Sequence, residues 1–399
     1  TPTKGSANGT DTVQGYCSEP VFSVPGGHQK GPVTLTMSTL TPDASIYYTT
    51  DGSIPTANST KYTGPISVSS NKTIKAIARA PGKLDSSQMA ATYLFDAPHT
   101  LPVVCLSIDS GDLRYVSASA NRKDRRERPG YVEYYEADGK LGVRFPAGFR
   151  IAGAGTRLYN PRTFNLNLRG AYGQSSVSYP FFEGYDITTF KSLQLRHPGT
   201  GQDLTKIKDA YFNNIVNGMN IDNTQTKFAV VYINGSYWGL YEFKENQNED
   251  YLASKHGVDA DKVVIVRGNK YDTKTGRTDK DIVNLYALAQ RNMNDPDIFA
   301  KYTKLADSDY FMDYLIAETF FDCYDTYNQK YAHTTDNTLK WRPLYYDFDL
   351  VLSSPSRNSF GIFFRDIYLR HAETSVAPAG ETYMYLYNAF IKNDEWERQ

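Results

Sequence analysis

"DCYDTYNQKYAHTTDNTLKWRPLYYDFDL", residues 322–350, sets carboxylates among aromatic rings. Asp322, Asp325 and Asn328 come first, and Asp347 and Asp349 follow after a short polar loop. The Tyr, Phe and Trp residues between them predict partial burial. Buried carboxylates are costly unless a cation compensates them. An Asp, an Asn a few residues on and then Asp-x-Asp on a following strand is a pattern of hard oxygen donors, which suits Mg2+ or Ca2+. The residues alone favour a plainer reading, a solvated turn followed by a strand whose acids form salt bridges.

The flanks of this segment are organised in two ways. "SDYFMDYLIAETFF" (308–321) leads straight into it as a predicted helix with Ser308 as its N-cap. Apolar residues at Leu204, Ile207, Tyr211 and Ile215, and again at Ile282, Leu285, Leu288 and Ala289, recur at helical spacing. Strand-like runs such as "PVVCLSI", "YVEYYE", "TFNLNLR", "SLQLR", "KFAVVYIN" and "KVVIVRG" precede most of the helical patterns. Strands early and helices late predict an α+β domain of two lobes, covering 102–399. Upstream, residues 20–95 read differently. "VTLTMS", "SIYYTT", "TIKAIARA" and "AATYLF" are short strands separated by turn residues, with no helix between them. This predicts a small all-β, immunoglobulin-like sandwich, with Asp51-Gly52 as a hairpin turn and Tyr47, Ile74 and Ile77 facing its core. Residues 1–19 are a polar segment, and 96–101 a linker.

Composition narrows the function. A net charge of −1 over 399 residues gives no reason to expect nucleic acid or an anionic membrane as partner. No run reaches the ~18–20 apolar residues of a membrane span. The six histidines have no metal-ligand spacing, so neither zinc hydrolysis nor a Ser-His triad is indicated. Cys17, Cys105 and Cys323 form no framework; Cys105 reads as a core thiol, and a Cys17–Cys105 bridge is the alternative. An aromatic-rich, Cys-poor chain suits a secreted bacterial protein.

Two blocks carry resemblances. "IYYTTDGSIPT", "YTGPI" and "TIKAIA" resemble the sandwich module found at the C-terminus of chitobiases and hexosaminidases, an accessory without chemistry of its own. "GAGTR", "NGSYWGLYEFKE", "AETFFDCYDTYN" and "WRPLYYDFDL" resemble the spore-coat-protein-H (CotH) family of atypical kinases, over roughly residues 100–350. That resemblance implies a divergent kinase-like fold that binds ATP with Mg2+ or Ca2+, and a place on spores or other extracellular or cell-surface assemblies of bacteria. In kinases one Asp accepts the hydroxyl proton, and an Asn and a later Asp hold the metal. By this resemblance Asp325 is the catalytic acid, and Asn328, Asp347 and Asp349 are metal ligands. Arg157, Arg162, Arg196, Glu242 and Glu245 serve the nucleotide, with one of the two glutamates expected against Arg162 and Arg196 read either as a phosphate contact or as one half of a structural ion pair. Arg162 stands where many members carry a Lys, and its planar fork does not replace an ammonium. Two functions are implied: phosphate transfer to Ser/Thr of an extracellular protein, or a structural or adhesive role in a surface assembly.

The end of the chain, "AGETYMYLYNAFIKNDEWERQ" (379–399), reads as a helix through Ile391 and a new start capped by Asn393. The resemblance implies further helices beyond it, and so an exposed apolar patch around Tyr383, Leu386 and Phe390.

Overall fold

The computed structural model describes residues 15–118, 121, 124, 126–153, 162–198, 205–267, 271–272, 279–321, 329–348, 351–352 and 384–398. They form an α+β protein with an N-terminal β domain. That domain has nine short strands: β1 (Val21–Phe22), β2 (Gly27–His28), β3 (Val33–Leu35), β4 (Met37–Ser38), β5 (Ser45–Thr49), β6 (Thr60–Lys61), β7 (Ile66–Val68), β8 (Lys72–Arg79) and β9 (Met89–Leu94). They pair as β2-β9-β8-β5-β6, β3-β7 and β1-β4. Leu35, Ile46, Val68, Ile74, Ala76 and Tyr93 join them in one apolar core. Each Leu, Ile or Val side chain among them, fully buried, contributes about 1.5–3 kcal/mol.

Side chains alternate along a strand, which corrects part of the expected core. Ile74, Ala76 and Ala78 of β8 face the sandwich interior. Ile77 and its cross-strand partner Tyr47 lie an odd number of positions away and take the other face. On that face Lys75, fully buried, donates to the carbonyl of Gly52 at 2.9 Å. The Asp51-Gly52 bend also differs from a two-residue hairpin, because the connection from β5 to β6 spans residues 50–59. Gly52 has φ +83°, and an added Cβ would meet Ile108 O and Asn234 Oδ1 at 2.3 Å. Only glycine fits so close to the neighbouring strands.

Those strands form a closed barrel in the order β10-β11-β12-β13-β16-β18-β17. They are β10 (Val103–Ile108), β11 (Arg128–Tyr135), β12 (Leu141–Ile151), β13 (Phe164–Asn167), β16 (Ser192–Arg196), β17 (Thr226–Ile233) and β18 (Ser236–Glu245). Parallel pairing of β10 with β17 joins the first and last strands of that order. A small hairpin, β14 (Val177–Ser178) with β15 (Thr189–Phe190), and helix α1 (Ser110–Ser117) interrupt the strand sequence. The sandwich meets the barrel through Glu133 of β11, which accepts from Thr92 N at 3.0 Å and Thr92 Oγ1 at 2.6 Å. Cys105 and Cys17 are both buried free thiols, so the alternative bridge is not formed.

The remaining elements are mostly helical: α2 (Lys208–Ile215), α3 (Glu249–His256), α4 (Lys280–Ala289), α5 (Pro296–Leu305), α6 (Ser308–Phe320), α7 (Met384–Ile391) and α8 (Asp394–Glu397). A sheet of order β20-β19-β21-β22 accompanies them, from β19 (Val263–Arg267), β20 (Tyr271–Asp272), β21 (Lys330–Thr334) and β22 (Arg342–Pro343). Caps explain most helix starts. Asp279 caps α4, Asp295 with Pro296 starts α5, and Asn393 caps α8. Asp307 rather than Ser308 caps α6, accepting from Tyr310 N.

The helix expected around Tyr211 and Ile215 is present as α2, with an unforeseen face inward, and the expectation for the chain end fails. On α2 the apolar positions Ile207, Tyr211 and Ile215 are about half exposed, while Asp209, Ala210, Phe212 and Asn213 are buried. At the chain end, Leu386 and Phe390 are fully buried beside Tyr302 and Phe311, not exposed, and Tyr383 lies outside the described residues. Side chains of α4, α5 and α6 pack over this segment.

By internal contacts the chain divides into two compact units. One comprises Thr1–Phe181, Thr188–His197 and Phe228–Phe243; the other comprises Phe182–Ile187, Pro198–Lys227 and Lys244–Gln399. No helix among the described residues is long and apolar enough to cross a membrane.

Candidate functional site

Strand β18 carries charged residues into the interior at its C-terminal end. Glu242 is fully buried and pairs with Arg196, at the end of neighbouring β16, at 3.2 Å. A buried carboxylate without such a partner would cost several kcal/mol, so the pair sets the charge of this part of the barrel. Arg162, just before β13, is buried too, and its Nε donates to the backbone carbonyl of Ser117 at 3.1 Å. The glutamate that meets an arginine among the described bonds is thus Glu242, and that arginine is Arg196.

In the second unit, Glu245 is 4% exposed. Its oxygens accept from the Tyr185 hydroxyl at 3.0 Å and from Gln225 N at 2.9 Å. Burial pushes its carboxyl up to about 7, against the pull of these hydrogen bonds and of Lys255 and Lys244. Lys244 itself pairs with Asp209 of α2 at 2.8 Å, both side chains being buried. The other oxygen of Asp209 accepts from the backbone N–H of Phe348 at 2.8 Å. The Asp347-Phe348 turn is therefore tied to α2 through a charged anchor. Lys208 Nζ to Val351 O, at 2.8 Å, and Tyr345 Oη to Phe212 O, at 3.3 Å, tie the same segment to the same helix.

Asp347 is half-buried and has φ +72°, a left-handed conformation that Asp tolerates better than most residues. The residues 344–347 before Phe348 are irregular, so the described part of Asp-x-Asp sits on a turn after β22 rather than on a strand. Lys330 stands near it on β21, with Nζ 3.8 Å from the centre of the Tyr346 ring. Burial and the nearby Arg267 bring this ammonium down to about 8, and Asp347 opposes that shift. A separate ionic cluster centres on Asp222, 1% exposed, with His256 at 2.7 Å, Arg342 at 3.6 Å and Lys255 at 3.9 Å. Burial alone would raise the Asp222 carboxyl, but the hydrogen bond from His256 and the surrounding charges hold it below its ordinary value. This cluster rivets α3 to β22.

Asp325, Asn328, Asp349 and Arg157, with Asp322 and Cys323, lie outside the described residues. Arg162, Arg196 and Glu242 belong to the first unit, and Glu245 and Asp347 to the second. Asp209, Lys244 and Lys330 are the residues that sequence reasoning missed. Asp209 gave no signal, because the helical spacing marked the opposite face of α2 as the buried one.

The profile of the CotH kinase protein family matches residues 149–397, more than half of the chain. The chain belongs to that family. The CotH match begins within β12 and extends through α8, a later start and a later end than the sequence resemblance suggested. Every candidate residue, described or not, falls inside it. The chitobiase/beta-hexosaminidase C-terminal domain profile matches residues 24–91, which hold strands β2 to β8 and the start of β9. No curated protein matches the chain. The CotH assignment applies to a region whose acidic turn is anchored by Asp209 and Lys244.

Proposed function

We propose that this chain is a CotH-type atypical protein kinase, two-lobed, secreted or held at the bacterial surface, that uses ATP with Mg2+ or Ca2+ to phosphorylate Ser or Thr of an extracellular protein. The observation that carries this reading is the fixed turn at Asp347-Phe348, whose backbone is held by the buried Asp209–Lys244 pair within a CotH kinase match. Hard oxygen donors on a rigid support are what a divalent cation on nucleotide phosphates requires. Asp347, Asp349 and Asn328 would hold the metal; when bound, it would neutralise charge on the phosphates. Arg157, Arg162 and Arg196 would contribute positive charge toward the nucleotide. Asp325 would accept the proton of the acceptor hydroxyl.

One observation favours a second reading, a non-catalytic surface or adhesive protein that keeps the fold. Arg162 replaces the usual Lys, and its guanidinium is engaged with the Ser117 carbonyl. A transfer assay separates the two. The full chain is incubated with labelled ATP, Mg2+ or Ca2+ and Ser/Thr-containing extracellular proteins, and ATP affinity is measured in parallel. Asp325→Asn should lower transfer by at least about a hundredfold while leaving ATP affinity within a few-fold, since the acid acts on the acceptor. Transfer unchanged in that variant removes Asp325 from the mechanism. ATP binding without transfer by the unaltered chain supports the structural reading.

A further inference from the structure

The second unit gathers another set of ligating groups, far apart in sequence. Asp279 is the N-cap of α4, and its Oδ1 accepts from Ile282 N at 2.9 Å. Asp281 lies in the first turn of the same helix and is exposed. His333 is on β21, opposite Val264 of β19. One ligand atom from each of the three lies within 4.8 Å of the others.

Two acids at a helix start are ordinary, because the helix dipole favours them there. The histidine is not ordinary. His333 is 1% exposed, and neither of its ring nitrogens makes a hydrogen bond. A buried polar group left without a partner costs about 1–3 kcal/mol. The ring also lies against Trp341, centroids 3.8 Å apart and planes 15° from parallel, which fixes its direction. A buried imidazole of set orientation beside two carboxylates is a donor set that a single cation can satisfy.

We propose that Asp279, Asp281 and His333 form a binding site for a first-row transition-metal dication, best matched by Zn2+. The imidazole nitrogen selects against Mg2+ and Ca2+, which prefer oxygen alone. Three protein ligands leave at least one position for water. With ligands at about 2.1 Å from a tetrahedral ion, neighbouring ligand atoms stand about 3.4 Å apart, so binding needs a contraction of at most about 1.4 Å from the observed 4.8 Å. The exposed Asp281 side chain can supply it. The positive end of the α4 dipole opposes the ion, but it is worth about half a charge against two full carboxylates. None of the three residues belongs to the set assigned to ATP and its metal, and the bound ion would clip the start of α4 to β21.

The test uses the full chain, freed of metal with a chelator and titrated with ZnCl2 in excess Mg2+. One equivalent should bind, raise the thermal midpoint, and give an X-ray absorption spectrum with a single imidazole ligand. Asp281→Asn, at an exposed position, should weaken Zn2+ at least about tenfold. Asp279→Asn should do the same while keeping the helix cap. Asp309→Asn, in the first turn of α6, should leave the affinity unchanged. No saturable uptake, an absorption spectrum without imidazole, or affinity in the Asp279 and Asp281 variants unchanged from the unaltered chain would each overturn the proposal.

Discussion

Two buried ion pairs hang from β18, two residues apart, and they do different work. Glu242–Arg196 joins neighbouring strands of the barrel. Lys244–Asp209 joins the strand to helix α2, and Asp209 passes the restraint on to the N–H of Phe348. A third charged residue, Glu245, is equally buried but is held by a hydroxyl and a backbone N–H. The contrast shows that burial alone does not set the role of a charge. A guanidinium beside Glu242 compensates it; the neutral donors beside Glu245 leave its carboxyl up at about 7.

The most severe way to break the comparison is Lys244→Met. It removes the ammonium paired with the Asp209 carboxylate, which is 1% exposed, and should cost about 3–5 kcal/mol in chemical denaturation. Replacing Asp209 by Leu in the same chain should recover part of that loss, since the buried carboxylate goes with its counter-ion. If the single variant costs no more than a surface substitution, the anchor for Phe348 is not structural.

Glu245 gives a pH test of intermediate size. Its carboxyl titrates near 7 in the fold against 4.5 for an ordinary Glu. Between those values the folded state keeps a proton that the unfolded state has released. Stability should therefore fall as pH rises from about 4.5 to about 7, and level off above, by up to about 3 kcal/mol. Glu245→Gln should remove that slope; urea midpoints measured across the window, unchanged between the two proteins, would refute it.

The mildest test is Arg196→Lys. An ammonium keeps the charge opposite Glu242 but loses the planar fork, which should cost about 1 kcal/mol, near the net worth of one hydrogen bond. ATP affinity sharpens the result. A loss beyond tenfold at that small stability cost would mean that Arg196 also contacts phosphate, whereas an unchanged affinity would leave it a strut of the barrel.

Much of this protein is legible in the chain itself. Period-two patterns mark β5, β8 and β9, Asp and Asn residues mark the starts of α4, α5 and α8, and the "NGSYWGLYEFKE" and "WRPLYYDFDL" blocks carry the CotH signal. These are local properties: backbone donors at a helix end need a nearby acceptor, and alternate side chains on a strand need opposite surroundings. What lies opposite is not local. The inward face of α2 presents Asp209 and Asn213 because Lys244, Phe348 and Thr224 wait there with matching donors, and the apolar Ile207, Tyr211 and Ile215 are turned outward. His333 and Asp279 have 53 residues between them in sequence yet bring ligand atoms within 4.8 Å of each other, because β21 passes the start of α4. The sequence by itself determined most of the elements, several of their caps and the family. Only the tertiary structure decided which charges are paired, since a buried charge takes its partner from whatever element packs against it, and that choice has no period in the chain.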